Sequence, residues 1–394
     1  MPAVSRNLAL MYAYKFLSEF YLIMPVLIPY YKAGGLADTQ VFMVQAIYTV
    51  TVLLLEIPSG YAADVWGRKT TLILGACGLF LGLAVYSMSS GFFGFAAAEL
   101  LLALGSSMRS GSDVAMIYDS LRQAEAVDRY PQVQGRMELA TRLGTGLASV
   151  CGGLLALLFL RLPFYVNMAN GLVMTAIAFT LVEPRRERCP REHAWRGIFR
   201  VVGHCLRDPM LRRLMAYWAA LMSSGIIGIW AYFLHFRHHP WGTGFFGLLF
   251  ALFQVSAGIG SHASHRLEKR LGRSVVLFLP LLLGPSFMLI GGTSSLWLVP
   301  VICLNGFLWN VAGPVVFTMV NARTDSRVRA TTVSTVNMAA CLAYVIGGPV
   351  FGRISDAFSL PRAFLVLGAA VLAVSGPMAF RILQAPDGRD QPAG

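Results

Sequence analysis

Charge is what this chain has least of. Asp, Glu, Lys and Arg make up 13% of the 394 residues and apolar residues 56%, against about 25% and about 45–50% in an ordinary soluble domain. Mean hydropathy is +0.62. This excludes an ordinary soluble domain and points to repeated membrane crossings. The six cysteines, Cys77, Cys151, Cys189, Cys205, Cys303 and Cys341, are scattered without CxxC or Cys/His ligand spacing. A disulfide framework and a metal site are therefore not expected. No G-x4-GK-[ST] loop occurs, so ATP is not the expected direct driver. No His-rich or Ser/His/Asp constellation lies near a membrane face, so the chain is not expected to be an enzyme, and no cofactor is implied. A cleavable leader is not expected either, because the first apolar run is too long and too polar inside. A net charge of +13 suggests nucleic acid when it covers a soluble protein. It does not do so here, because the cations sit in short loops between apolar runs rather than on one compact face.

Those runs dominate the chain. Twelve follow one another, near 8–31, 39–61, 70–89, 91–117, 137–160, 163–182, 213–236, 243–264, 274–293, 295–320, 331–351 and 361–383. A segment in hydrocarbon must satisfy its own backbone polar groups, so each run is expected to be a helix. A crossing needs about 20 residues. A basic hydrophilic stretch, 184–212, separates a first set of six (1–183) from a second (213–394), which ends in a short polar tail. With the N-terminus inside, 24 Lys and Arg fall on inner loops and tails and 5 on outer ones. That asymmetry predicts cytoplasmic termini and a cytoplasmic linker.

One short loop carries a distinctive cluster. Between runs 2 and 3 stands Gly60-Tyr-Ala-Ala-Asp64-Val-Trp-Gly67-Arg68-Lys69. Asp64 is placed to accept hydrogen bonds from neighbouring helix N-termini and to pair with Arg68. Gly60 and Gly67 allow close packing and a tight turn. The halves echo each other. Gly272-Arg273 closes the loop after run 8, and Cys151-Gly152-Gly153 late in run 5 is matched by Ile346-Gly347-Gly348 late in run 11.

On these residues the chain resembles the major facilitator superfamily over its whole length. The loop signature G-x3-D-x2-G-R-K/R is met by Gly60, Asp64, Gly67, Arg68 and Lys69. The lead-in Glu56-Ile-Pro58 and the stretch Asp113-Val-Ala-Met-Ile-Tyr118-Asp119 are similar to a branch of bacterial members. The resemblance implies an all-α membrane protein of twelve transmembrane helices in two pseudo-symmetric six-helix bundles. It also implies a conformational latch at the loop. Lys269 stands where the first half has Asp64. Run 5 has the glycines of the family's drug–proton antiporters but no proline, and Arg109-Ser-Gly111 replaces their arginine followed by Gln-Gly.

Ionisable residues inside the runs are the candidates for chemistry. A charge at the membrane centre costs roughly 2.5–3.5 kcal/mol even on lenient scales. Lys15 and Glu19 are four apart and share a helical face near midplane, with Tyr12 close by. They are expected either to pair structurally or to form a protonatable, substrate-binding pair. Glu99, Ser106, Ser110 and Asp113 form a second polar stripe on run 4, where Arg109 and Asp113 can pair at a spacing of four. Glu19 or Glu99 is expected to take up and release the coupling proton, with Lys15, Arg109 and Asp113 in the same substrate- and proton-coupling set. Glu56, with Glu138 and Arg142 at the start of run 5, reads as an intracellular gating network. The second half offers neutral contacts instead, among them Trp230, Asn305, Asn310 and Asn337.

The expected function is secondary active transport of a small organic solute by alternating access, in the bacterial inner membrane and as a monomer. Proton-coupled efflux of a drug or metabolite leads. Proton-coupled uptake of a metabolite or siderophore-like compound comes second, and a non-transporting sensor or assembly factor on the same scaffold is the alternative of another class. Expected partners are the solute, protons and the lipid bilayer, with no nucleic acid.

Overall fold

The computed structural model describes residues 2–184, 194–237, 242–293, 295–325 and 328–385. Every regular element among them is helical. The order is α1 (Pro2–Ser18), α2 (Leu27–Ala33), α3 (Asp38–Trp66), α4 (Arg68–Met88), α5 (Gly91–Arg109), α6 (Ser112–Gln123), α7 (Tyr130–Leu158) and α8 (Leu162–Thr180). Then come α9 (Ala194–Arg207), α10 (Pro209–His235), α11 (Gly242–Leu271), α12 (Val275–Gly292), α13 (Val299–Ala322), α14 (Arg329–Ala357) and α15 (Leu360–Leu383). Among the described residues, ten stretches are long and apolar enough to cross a membrane, by length and composition. The difference from twelve expected runs lies in two places. One 51-residue stretch, Gly242–Gly292, holds both α11 and α12, and run 1 is broken. Large apolar side chains such as Phe93 and Leu158 stand 86% and 79% exposed, a surface suited to hydrocarbon rather than water.

The chain forms two compact units. Residues 1–36, 47–190 and 238–251 make the first; 37–46, 191–237 and 252–394 make the second. Helices α3 and α11 are therefore each shared, their first ten or so residues belonging to the unit that does not hold the rest. In the first unit α4 packs between α5 and α8, and α1 packs on α7. Its core is aromatic, with Tyr14, Tyr31, Tyr86, Phe95 and Phe164 buried. In the second, α12 lies along α15 and α10 along α14, around buried Tyr217, Phe287, Tyr344 and Phe364. The basic linker is not merely a loop: it contains α9, which buries Val201 and Cys205 in this unit. Burial pushes the Cys205 thiol above its ordinary pKa.

Run 1 does not form one helix over 8–31. Helix α1 ends at Ser18, a 3-10 turn covers Met24–Val26, and α2 starts at Leu27. Pro25 explains the break, since it lacks an N–H and its ring collides with the carbonyl four residues back. The freed backbone groups must find partners, because no water reaches them in hydrocarbon. Helix α8 supplies two. Asn167 donates from Nδ2 to the Phe20 carbonyl at 2.7 Å and accepts from the Ile23 amide at 3.2 Å. Asn170 donates to the Leu17 carbonyl at 2.9 Å. Asn167→Leu would strand two buried backbone groups at about 1–3 kcal/mol each. We expect the thermal midpoint of the variant in detergent to fall by several degrees; an unchanged midpoint would mean that the break is held by other contacts.

Candidate functional site

The break in run 1 meets a second break in run 4. Gly111 turns the chain with φ +75°, so α5 ends at Arg109 and α6 starts at Ser112. Three helix ends therefore converge, and each carries the charge that its dipole favours. Lys15 lies in the last turn of α1 and Arg109 in the last turn of α5, while Asp113 lies in the first turn of α6.

The pairing crosses between helices. Lys15 Nζ donates to Asp113 Oδ2 at 2.5 Å. Arg109 approaches Glu19 at 3.9 Å and donates to the Ser18 carbonyl at 3.4 Å, capping the end of α1. This corrects two expectations, the pairs Lys15–Glu19 and Arg109–Asp113. Spacing of four aligns side chains only within a continuous helix. Glu19 lies beyond the end of α1, and Ser110–Gly111 separates Arg109 from Asp113.

Exposure distinguishes the four. The side chains of Lys15, Asp113 and Arg109 are 18%, 9% and 14% exposed, that of Glu19 43%. Glu19 is thus the loosely held, open member of a quartet whose formal charges cancel. Glu99 is placed differently. It is 4% exposed and accepts hydrogen bonds from Tyr31 at 2.9 Å and Tyr86 at 2.5 Å, while the two tyrosine hydroxyls also bond each other. It lies in a tyrosine core rather than on an open face.

The loop motif is held by a residue the sequence reading passed over. Helix α3 runs on to Trp66, so Gly60 sits inside it with open space around its Cβ position. Close packing therefore does not explain Gly60. Gly67 is the turn, with φ +107°. As the N-cap of α4 it has no side chain to meet the first amides. Glu183, just past α8, accepts from Arg68 N at 2.8 Å and Lys69 N at 2.7 Å. A Cβ on Gly67 would lie 2.8 Å from that carboxylate. Asp64 pairs with Arg68 at 2.9 Å, one of the two contacts expected of it, and Arg68 also faces Asp119 at 3.7 Å. In the sequence Glu183 is only the last residue of the first set of six runs, beside the hydrophilic stretch.

The remaining candidates are dispersed. Glu138 and Arg142 pair at 3.0 Å on an exposed face, and Glu56 is exposed. Tyr12 is half-buried and Trp230 buried. Asn305 is 2% exposed and joins Ser286 and Tyr232 in a polar chain inside the second unit, at 2.5 and 2.9 Å. Asn310 donates to its own helix at the Gly306 carbonyl, and Asn337 accepts from the Trp218 indole at 3.0 Å. Among the described residues no cluster of three metal-ligating side chains occurs.

The family model for the Major Facilitator Superfamily matches residues 8–348. The chain belongs to the Major Facilitator Superfamily. As a superfamily member it is a transporter of some solute, with the family's all-helical membrane fold. It is 22% identical over 165 residues to an uncharacterized MFS-type transporter, MJ1560, of Methanocaldococcus jannaschii; the match spans 41% of either chain. Three solved structures align nearly end to end. The nucleoside transporter NupG superposes with TM-score 0.80 at 12% identity, covering 98% of this chain and 100% of that one. A bacterial homologue of the human lysosomal transporter Spinster, inward-facing and unoccupied, gives 0.71 at 17%, covering 97% of both. A D-xylose–proton symporter superposes with TM-score 0.70 at 12% identity, covering 99% of both. At these identities the likeness is one of fold.

Proposed function

We propose that this protein is a secondary active transporter that moves a small organic solute by alternating access, with protons as the driving ion and Glu19 as the coupling carboxylate. One observation carries the reading. The first membrane helix is broken near its middle, and the break presents one carboxylate, 43% exposed, while its three charged neighbours are only 9–18% exposed. Broken helices supply transporter sites in this way, and an ionisable group in a membrane faces a polar passage as a rule. Protonation of Glu19 would leave the quartet with a net positive charge. The affinity of the site for a charged or polar solute would therefore follow its proton.

In this reading the loop at Gly60–Lys69 and both termini are cytoplasmic, the membrane is the bacterial inner membrane, and the protein works as a monomer. Efflux of a drug or metabolite is the leading direction. Uptake is the second reading, favoured by α7, whose only proline, Pro131, stands in its first turn, so that the glycine-rich interior lacks the antiporter proline. The test begins with a ligand-stabilisation screen of purified protein, and the solute it selects is used for flux in liposomes. Glu19→Gln is expected to lose accumulation driven by a pH gradient and to keep solute counterflow. Wild-type pH-driven accumulation in that variant would overturn the assignment.

A further inference from the structure

Helix α3 begins without a complete cap of its own. Its N-cap position, Ala37, has no side-chain acceptor. Gln40 accepts from the Ala37 amide at 3.0 Å, which is only the returning half of a capping box. The missing half comes from elsewhere in the chain. Asp356 accepts from Asp38 N at 2.9 Å through Oδ1 and from Thr39 N at 2.8 Å through Oδ2, and the Thr39 hydroxyl donates to the same Oδ2 at 2.6 Å.

The position of Asp356 is unfavourable for its own helix. It is the penultimate residue of α14, where the helix dipole opposes a carboxylate. The first turn of α3 offsets that cost. The contact is reciprocal, since Ser355 donates to Asp38 Oδ2 at 2.5 Å and Arg237 stands 3.6 Å from Asp38 Oδ1. One turn back, a Cβ on Gly352 would lie 2.6 Å from Thr39 Cα and 2.8 Å from the Asp38 carbonyl. The two backbones touch there, which positions the carboxylate.

Helix α3 is the shared element noted above: residues 37–46 belong to the second unit and 47–66 to the first. Helices α3 and α14 are both 29 residues long, and each carries an aspartate close to its C-terminal end, Asp64 and Asp356. Asp64 belongs to the loop motif at the C-terminal end of α3. Asp356 lies in no motif and meets the other end of that helix.

We propose that Asp356 is an outer latch, a cap supplied by a distant helix of the same chain that holds the first nine residues of α3 (38–46) on the second unit and sets how readily they leave it. The inference rests on the alternating-access reading, in which α3 must exchange neighbours during the cycle. Its test does not use transport. Ala46 is buried on the same helical face as Thr39 and Phe42, so Ala46→Cys reports release through its reaction with a membrane-impermeant maleimide added from the outer side. The chain without the introduced cysteine supplies the background. Asp356→Ala is expected to raise the labelling rate about tenfold, the size of effect a lost cap produces, and Asp356→Glu to stay near the parent rate. Ser375→Cys on α15, fully buried in the same unit, should label at an unchanged rate. An unchanged rate at Ala46→Cys would overturn the latch. So would a parallel rise at Ser375→Cys, which would mean general loosening. Failure here leaves the Glu19 flux result standing, and failure of that result leaves the labelling ratio standing.

Discussion

Gly152→Val is expected to yield almost no folded protein. A Cβ at this position would lie 2.0 Å from the Leu22 carbonyl oxygen and 2.8 Å from its carbon. Those atoms are backbone, in the broken stretch between α1 and α2, and they cannot swing aside as a side-chain tip would. Helix α7 can approach the Leu22 backbone this closely only because Gly152 has no side chain. Relief of the clash would push α7 away from α1 and open the packing around Asn167. Overpacking of this kind costs typically about 1–3 kcal/mol and more when backbone is met. Gly146, in the same helix, has nothing within 4 Å of its Cβ position. Gly146→Ala should therefore fold as well as the parent or be more stable by about 0.5–1 kcal/mol. The comparison is read as monodisperse yield by fluorescence-detected size exclusion. Equal yields of Gly152→Val and Gly146→Ala would disprove the packing assigned to the break.

The second large effect is expected at Asp113. Asp113→Ala leaves Lys15, whose side chain is 18% exposed, with its closest partner removed. Breaking a fully buried pair costs about 3–5 kcal/mol, which is the upper bound here. The double change Lys15→Met, Asp113→Leu removes the charge together with its partner, so its cost should be far below the sum of the single changes. A double-mutant cycle on thermal midpoints decides this. Additive single effects would mean that Lys15 and Asp113 do not depend on each other. The same cycle run on Lys15 and Glu19, four apart in sequence, should show weak coupling.

That last contrast marks where local reading ended. The apolar runs, the basic linker and the loop cluster are properties of neighbouring residues, and hydropathy with a 3.6-residue period exposes them directly. The quartet residues Lys15, Glu19, Arg109 and Asp113 were also visible, because charge in an apolar run is costly wherever it sits. Their partners were not. Spacing arguments assume an unbroken helix, and both helices break between the residues concerned. The proline responsible, Pro25, was in view, but where a broken helix finds replacement hydrogen bonds depends on distant segments. Asn167 and Asn170 stood three apart in an apolar run and were the available signal.

The capping carboxylates make the same point. Glu183 and Asp356 are ordinary in sequence, one at the edge of a hydrophilic stretch and the other at a helix end. Each became structural by reaching the exposed amides of a helix far along the chain. Composition and periodicity by themselves determined that this protein crosses a membrane many times as helices, and the loop residues determined its family. Only the tertiary structure decided which charges meet and which carboxylate stays open. The reason is that buried backbone and charged groups must be satisfied by whatever polar group packing brings within reach, and packing is not a local property.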